Sequence, residues 1–249
     1  MSLSRLFPLS VTKSIIILNV LVYVLGLFFR QYAAFCIAVP DGFDTSTLEV
    51  MGAYSWFTCM MLHEPWRLIT YQFLHGGIVH LLFNMWALYF FGPAVERRMG
   101  SVRFLVYYLI CGVGGALTSS LLAGLGVYSL LQEMPYVDVV CRLLAEAAGY
   151  DGVLQPWQLV PMVGASAAVY GVMVAASFLY PKALVQLLMP PVTMTLRTFA
   201  WVIIGISVIV IAFNLNNAGG EAGHLGGIVV GAIIMWGYRL YARTRRFRT

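Results

Sequence analysis

Charge is what this chain has least of. Only 10% of its 249 residues are Asp, Glu, Lys or Arg, whereas water-soluble domains carry roughly 25%. That deficit, with 61% hydrophobic residues and a mean hydropathy of +0.85, excludes an ordinary globular domain and makes lipid the main solvent. Cysteine is also sparse. Cys36, Cys59, Cys111 and Cys141 show no C-x-x-C spacing, which argues against a metal or redox site, and Cys111 reads as a packed helix residue. A bond between Cys59 and Cys141 stays open if both face an oxidising side. No internal repeat or low-complexity tract occurs, so a transporter built from repeats has little support. Nor does the net charge of +5 point to nucleic acid, because no basic stripe interleaves with exposed aromatics. Arg5 and Lys13 ahead of the apolar residues 15–29 imitate a signal peptide. No A-x-A site follows, so an uncleaved first helix is the better reading.

What is present is a series of apolar runs. Residues 14–35, 79–95, 104–125, 166–180, 198–213 and 224–241 predict six spanning helices, where a bilayer requires roughly 20 apolar residues. The connections after the first and third are long and the others short. With the N-terminus in the cytosol, Arg5, Lys13, Arg97, Arg98, Arg103, Lys182, Arg197, Arg239, Arg243, Arg245, Arg246 and Arg248 fall inside, and only Arg30, Arg67 and Arg142 outside. That asymmetry predicts cytosolic termini. In the first long loop Trp56, Phe57, Met60, Met61, Trp66 and Tyr71 predict a segment lying partly in the outer interface. The second long loop is more polar, with Glu133, Asp138, Glu146 and Asp151, and is expected to form an extramembrane cap.

Polar groups in lipid are costly, so each needs a reason. His80 and Asn84 lie on the second span, Ser166 on the fourth and His224 on the sixth. Sixteen steps separate His80 from Glu96 and Ser166 from Lys182, and fifteen separate His224 from Arg239. Along helices these are about 24, 24 and 22 Å, which places all three at one depth below the outer surface. A serine and a histidine at one level can make a nucleophile and its base. No acid is expected where it could orient His224. The short run before Lys182 predicts that Gly164–Ala165 approaches Ser166 as irregular backbone, which at this depth must be buried or line a wet cavity. His80 and Asn84 share a helical face and could stabilise an oxyanion with a backbone N–H near Ser166. Tyr170, one turn below Ser166, could pack on His224. His224, Gly227 and Gly231 form a stripe that permits close helix approach. Taken singly, each of these has a plainer reading: Ser166 bonding its own i−4 carbonyl, His80, His224 and Asn84 as interhelical glue, His63 and His75 as structural interface residues.

Taken together the residues are similar to a known family. His80-x-x-x-Asn84 resembles the rhomboid H-x-x-x-N motif, Gly164-Ala165-Ser166-Ala167 its G-x-S-G motif, and His224-x-x-Gly227-x-x-x-Gly231 its H-x-x-G-x-x-x-G motif. Trp66-Arg67 resembles the W-R element, and the residues from Gly92 to Arg97 the end of the second span. The resemblance runs from about Trp66 to Gly237. It implies an all-α polytopic membrane protein, a six-helix rhomboid-like bundle forming one domain over 1–249, with its core at about 14–241 and a basic tail at 242–249. It implies an intramembrane serine endopeptidase that needs no cofactor or metal. Ser166 would be the nucleophile, His224 the general base, and His80, Asn84 and the Ser166 amide the oxyanion hole. Tyr170, Gly164 and Gly227 would support the dyad, and the region from Phe199 to Glu221 would be a gate. Expected partners are transmembrane protein substrates and the lipid bilayer, not nucleic acid, with the oligomeric state left open.

Ala167 departs from the family, which most often has glycine there; activity is expected to survive in a tighter pocket. The competing readings are a catalytically inactive rhomboid-like protein that binds membrane clients, and a channel or transporter with His80, Asn84 and His224 along its path. The absence of an added domain or targeting segment points to a bacterial cytoplasmic membrane ahead of an organellar one.

Overall fold

The computed structural model describes residues 10–28, 47–128, 137–187 and 191–246. Cys36, Arg30, Glu133 and the end of the first predicted span lie outside the described residues, as do Arg5 and Arg248. Among these described residues ten α-helices and a two-stranded hairpin follow in this order. Helix α1 covers Val11–Phe28; α2 (Thr47–Gly52), a π-helical turn (Phe57–Met61), α3 (Arg67–Thr70) and a 3₁₀ turn (Tyr71–Phe73) lie in the first long loop. Then come α4 (Ile78–Met99), α5 (Ser101–Gly124), α6 (Val137–Ala147), α7 (Pro156–Leu159) and α8 (Ser166–Leu179). Strands β1 (Leu184–Gln186) and β2 (Thr193–Thr195) precede α9 (Leu196–Ala212) and α10 (Ala218–Arg246).

Among the described residues four helices are long and apolar enough to cross a bilayer: α1, α4, α5 and the first 24 residues of α10. Helices α8 and α9 are apolar but shorter, at 14 and 17 residues. Fourteen residues rise only about 21 Å, short of a hydrocarbon core of about 30 Å. The backbone leading into α8 is irregular and buried: Gly164 and Ala165 are shielded from outside, as exposed peptide groups at membrane depth would have to be.

Local chemistry explains the turns. Gly100, at φ +85°, ends α4 with its N–H on the Glu96 carbonyl (2.7 Å) and lets α5 start at the next residue. That left-handed backbone suits glycine alone among common residues. Thr195 opens α9, its hydroxyl accepting from the Thr198 N–H at 3.2 Å. The hairpin β1–β2 pairs Leu184 with Thr195 and Gln186 with Thr193, inserting a short sheet where a plain loop was expected. Helix α10 begins six residues before the predicted sixth span, at Ala218 rather than His224. That extension carries Glu221 onto the same helix as His224.

The core lies where α4, α5, α8 and α10 meet, around Phe104, Tyr107, Tyr108, Cys111, Ala168 and Val172. The first loop packs on this bundle as a folded unit. Buried Arg67 donates from Nη1 to the carbonyls of Val50 and Ala53 at 2.9 Å each and pairs with Glu64, fixing the end of α2. Phe57 from this loop joins Cys141, Ala145 and Leu154 of the third connection, so the expected cap is packed onto the first loop. Cys59 belongs to a separate cluster. Cys59 and Cys141 therefore lie apart, and the structure shows no bond between them.

At the opposite end Glu96 ties three helices together. Its carboxylate accepts from the N–H groups of Val11 (2.8 Å) and Thr12 (2.9 Å), from Thr12 Oγ1 (2.7 Å) and from Ser101 Oγ (2.8 Å). An anion meeting the free N–H groups at the start of α1 is favourable on both hydrogen-bonding and dipole grounds. A Glu96→Gln variant confronts these four donors with an amide that has one acceptor atom, and is expected to lose about 2–4 kcal/mol of stability. Denaturation in detergent micelles measures it.

Candidate active site

Ser166 is the first residue of α8, and the approach to it is set by Gly164 at φ +127°. The Gly164 N–H donates to the Tyr71 carbonyl at 2.9 Å, anchoring the approach to the first loop. A side chain at 164 would be strained by its backbone and would have no room. Its Cβ would lie 2.6 Å from His80 Cε1, 2.8 Å from His80 Nε2 and 3.6 Å from Ser166 Oγ. The His80 ring and the serine hydroxyl thus flank a single point beside the Gly164 backbone. As the opening residue of a helix, Ser166 also presents an N–H with no partner inside α8. Asn84, one turn further along α4, is buried, and its Nδ2 makes no hydrogen bond among the described residues. A buried amide donor left unpaired costs stability, so its retention needs an explanation.

His224 is placed by two contacts. Its ring stacks on Tyr170 with centroids 4.1 Å apart and planes 12° from parallel. One turn later, Gly227 lies so close to α8 that a Cβ there would be 2.0 Å from the Ala167 carbonyl oxygen. The turn of α10 that follows His224 therefore rests directly on the turn of α8 that carries Ser166. Tyr107 reinforces the seam from α5, donating to the Gly171 carbonyl at 2.7 Å.

Ala167 does not narrow a pocket as expected. It is buried, and its methyl group fills the space left by Gly115 of α5, where a second Cβ would be 2.4 Å away. The extra carbon is accommodated in a helix–helix seam.

Two further side chains stand at this site: Glu221, which the sequence did not reveal, and His75, which it gave as a structural interface residue. Glu221 Oε2 lies 3.1 Å from His224 Nδ1, the two side chains being 13% and 12% exposed. The same oxygen accepts from Ser207 Oγ at 2.6 Å. An acid therefore sits beside His224 after all. The signal was its i−3 spacing, hidden because the span was started at His224. The second is His75, fully buried, with its ring 5.0 Å from that of His80 and nearly perpendicular to it. Burial, and secondarily the His80 ring, push the His75 imidazole down to about 3; the Phe73 backbone opposes this without offering a well-directed bond.

His75 has a consequence for stability. Its folded-state value lies below the ordinary one, so the unfolded chain takes up a proton that the folded chain refuses. Stability is greatest above pH 6.5 and falls by about 1.4 kcal/mol per unit as pH drops toward 3. Thermal unfolding in detergent between pH 7 and 4 is expected to show a steeper fall for the parent than for His75→Gln.

Among the described residues no group of three His, Cys, Asp or Glu side chains is arranged to hold a metal ion.

Comparison with known proteins adds an independent observation. A family model described as "Rhomboid domain" matches residues 62–241. The chain is 33% identical over 193 residues to "Rhomboid protease GluP" of Bacillus subtilis (strain 168), covering 76% of this chain and 29% of that protein. It is 46% identical over 80 residues to "RHOMBOID-like protein 2" of Arabidopsis thaliana, or 32% and 25% of the two chains. "Inactive RHOMBOID-like protein 8" of the same plant is 41% identical over 76 residues, or 30% and 22%. The matched region spans about a quarter of the length of these relatives. They come from a plant and a bacterium alike, so they do not select the bacterial cytoplasmic membrane.

Proposed function

This chain belongs to the rhomboid family, whose members are typically intramembrane serine proteases, and on that premise we propose that it is an endopeptidase cutting peptide bonds in or near transmembrane segments through Ser166 and His224. The observation that carries the reading is the seam between Gly227 and the Ala167 carbonyl, which holds the turns bearing Ser166 and His224 against each other.

In the proposed reaction Ser166 Oγ attacks the substrate carbonyl carbon while His224 Nε2 takes its proton. The oxyanion is stabilised by the Ser166 N–H, His80 Nε2 and Asn84 Nδ2. Donors held by a folded scaffold before charge develops need little reorganisation when it does. As the C–N bond breaks, the proton passes from His224 to the leaving amine, leaving an acyl-enzyme on Ser166. Water, deprotonated by His224, then repeats the attack and releases the acid. Tyr170 keeps the ring in plane, and Gly164 gives His80 and Ser166 access to one reacting centre.

Substrates would be membrane proteins with small or helix-destabilising residues near the outer face, entering past α9 and the turn that follows it. Helices α8 and α9 would complete six spans in a single domain, with both termini cytosolic according to the distribution of basic residues. The unpaired Asn84 amide favours catalysis over client binding, because a purely structural site gains nothing by burying it.

The test is a fluorophosphonate probe together with a panel of single-span substrates. Labelling and cleavage are expected for the parent and neither for Ser166→Ala. A folded parent that neither labels nor cleaves any substrate would identify the inactive, client-binding alternative. Asn84→Ala is expected to lower kcat by about 10²-fold with little change in KM, since one donor of three is lost.

A further inference from the structure

A carboxylate within a spanning helix is costly unless something uses it. Glu221 sits in the first turns of α10, where a favourable helix dipole alone would account for an acid. The dipole does not account for its partners. Its Oε2 is held between Ser207 Oγ on α9, at 2.6 Å, and His224 Nδ1, at 3.1 Å. We infer that Glu221 is a positioning residue for His224, turning the dyad into a Glu–His–Ser relay whose carboxylate is itself fixed by Ser207. The inference rests on the protease reading of this same site.

The chemistry follows from the two nitrogens of imidazole. A base that accepts the Ser166 proton at Nε2 must carry its own proton on Nδ1, and a carboxylate beside Nδ1 selects that tautomer. When Nε2 is protonated, the cation forms 3.1 Å from an anion already in place. Glu221 stays ionised throughout, and the transferred proton leaves on the amine. In the resting site the Nδ1–H direction misses Oε2 by more than a directed hydrogen bond tolerates. The contribution there is one of charge, and such contacts tighten as substrate binds. Stacking on Tyr170 restrains the tilt of the ring, while Glu221 fixes which edge faces the serine. The other titratable groups around His224 are Tyr170 of α8 and His80 of α4.

The experiment compares the full-length parent with Glu221→Gln, Glu221→Asp and Ser207→Ala in proteoliposomes, reading kcat, KM and the pH dependence of kcat/KM. Glu221→Gln is expected to lose about 10²-fold in kcat with KM unchanged, and its acid limb to move to lower pH. Glu221→Asp restores part of kcat and the original limb, and Ser207→Ala loses about tenfold. A Glu221→Gln enzyme with parental kcat and an unmoved limb overturns the relay. So does a variant that loses only thermal stability. If Glu221→Gln fails to fold, Ser207→Ala decides alone, and parental kcat in it overturns the role given to the Ser207 contact. A parent that neither cleaves nor reacts with fluorophosphonate removes the protease reading, and this inference with it. A parent that cleaves while Glu221→Gln matches it removes the relay only.

Discussion

On the proposed protease reading, replacing His224 with alanine is expected to lower the turnover of membrane substrates by about 10⁴-fold or more while the helices stay assembled. The size of the loss follows from the chemistry. A serine hydroxyl is a weak nucleophile until a base removes its proton, and among the described residues no second base is assigned to that role. His80 flanks the hydroxyl across Gly164, but a ring that donates to the oxyanion cannot accept the serine proton at the same nitrogen. The fold is expected to survive because the stack on Tyr170 is worth about 0.5–1.5 kcal/mol, and Glu221, which also contacts the ring, keeps Ser207 as a partner. Cleavage rate and thermal stability of one preparation separate the two effects. Turnover within about tenfold of the parent would remove His224 from the role of base. A collapse of stability would mean that the ring is chiefly structural.

The parts of this architecture visible in the sequence are those with a local signature. Apolar runs bounded by basic residues marked α1, α4, α5 and α10, and the shortness of the fourth run foretold irregular backbone before Ser166. Glu221 was hidden by the same reasoning that found the spans. Gly219, Gly220 and an acid read as loop by propensity and hydropathy, yet tertiary packing draws Ala218 to Gly223 into α10. His75 stood in a stretch without helical period, and only the folded first loop buries it against His80. The pairing of Ala167 with Gly115 joins positions far apart in sequence. A departure from the family motif looked like a defect until its partner on α5 was in view. Local pattern reports which residues share a face; it does not report which faces meet.

The second large effect is expected at a residue that touches no substrate. Gly227→Ala is expected to cost about 100-fold in kcat and to destabilise the bundle by about 1–3 kcal/mol or more. The added Cβ would stand 2.0 Å from the Ala167 carbonyl oxygen, 2.7 Å from its carbonyl carbon and 3.1 Å from its Cα. All three are backbone atoms, so no rotamer change relieves the overlap and α8 and α10 must move apart. Other close contacts along the same seam open with it: Gly171 and Gly231 each leave room for a neighbouring backbone, with a Cβ at 171 only 3.2 Å from the Gly227 carbonyl oxygen. Ser166 and His224 sit on the two helices being separated, which is why activity falls further than stability alone predicts. Gly237, ten residues further along α10, is the control. A Cβ there meets nothing within 4 Å, and alanine in an exposed helix interior gains up to about 1 kcal/mol over glycine. The same substitution on one helix is therefore expected to stabilise at 237 and to disable at 227, measured as melting temperature and as cleavage of one substrate. Equal behaviour at both positions would mean that the seam yields at little cost, and that the spacing of Ser166 and His224 is fixed elsewhere.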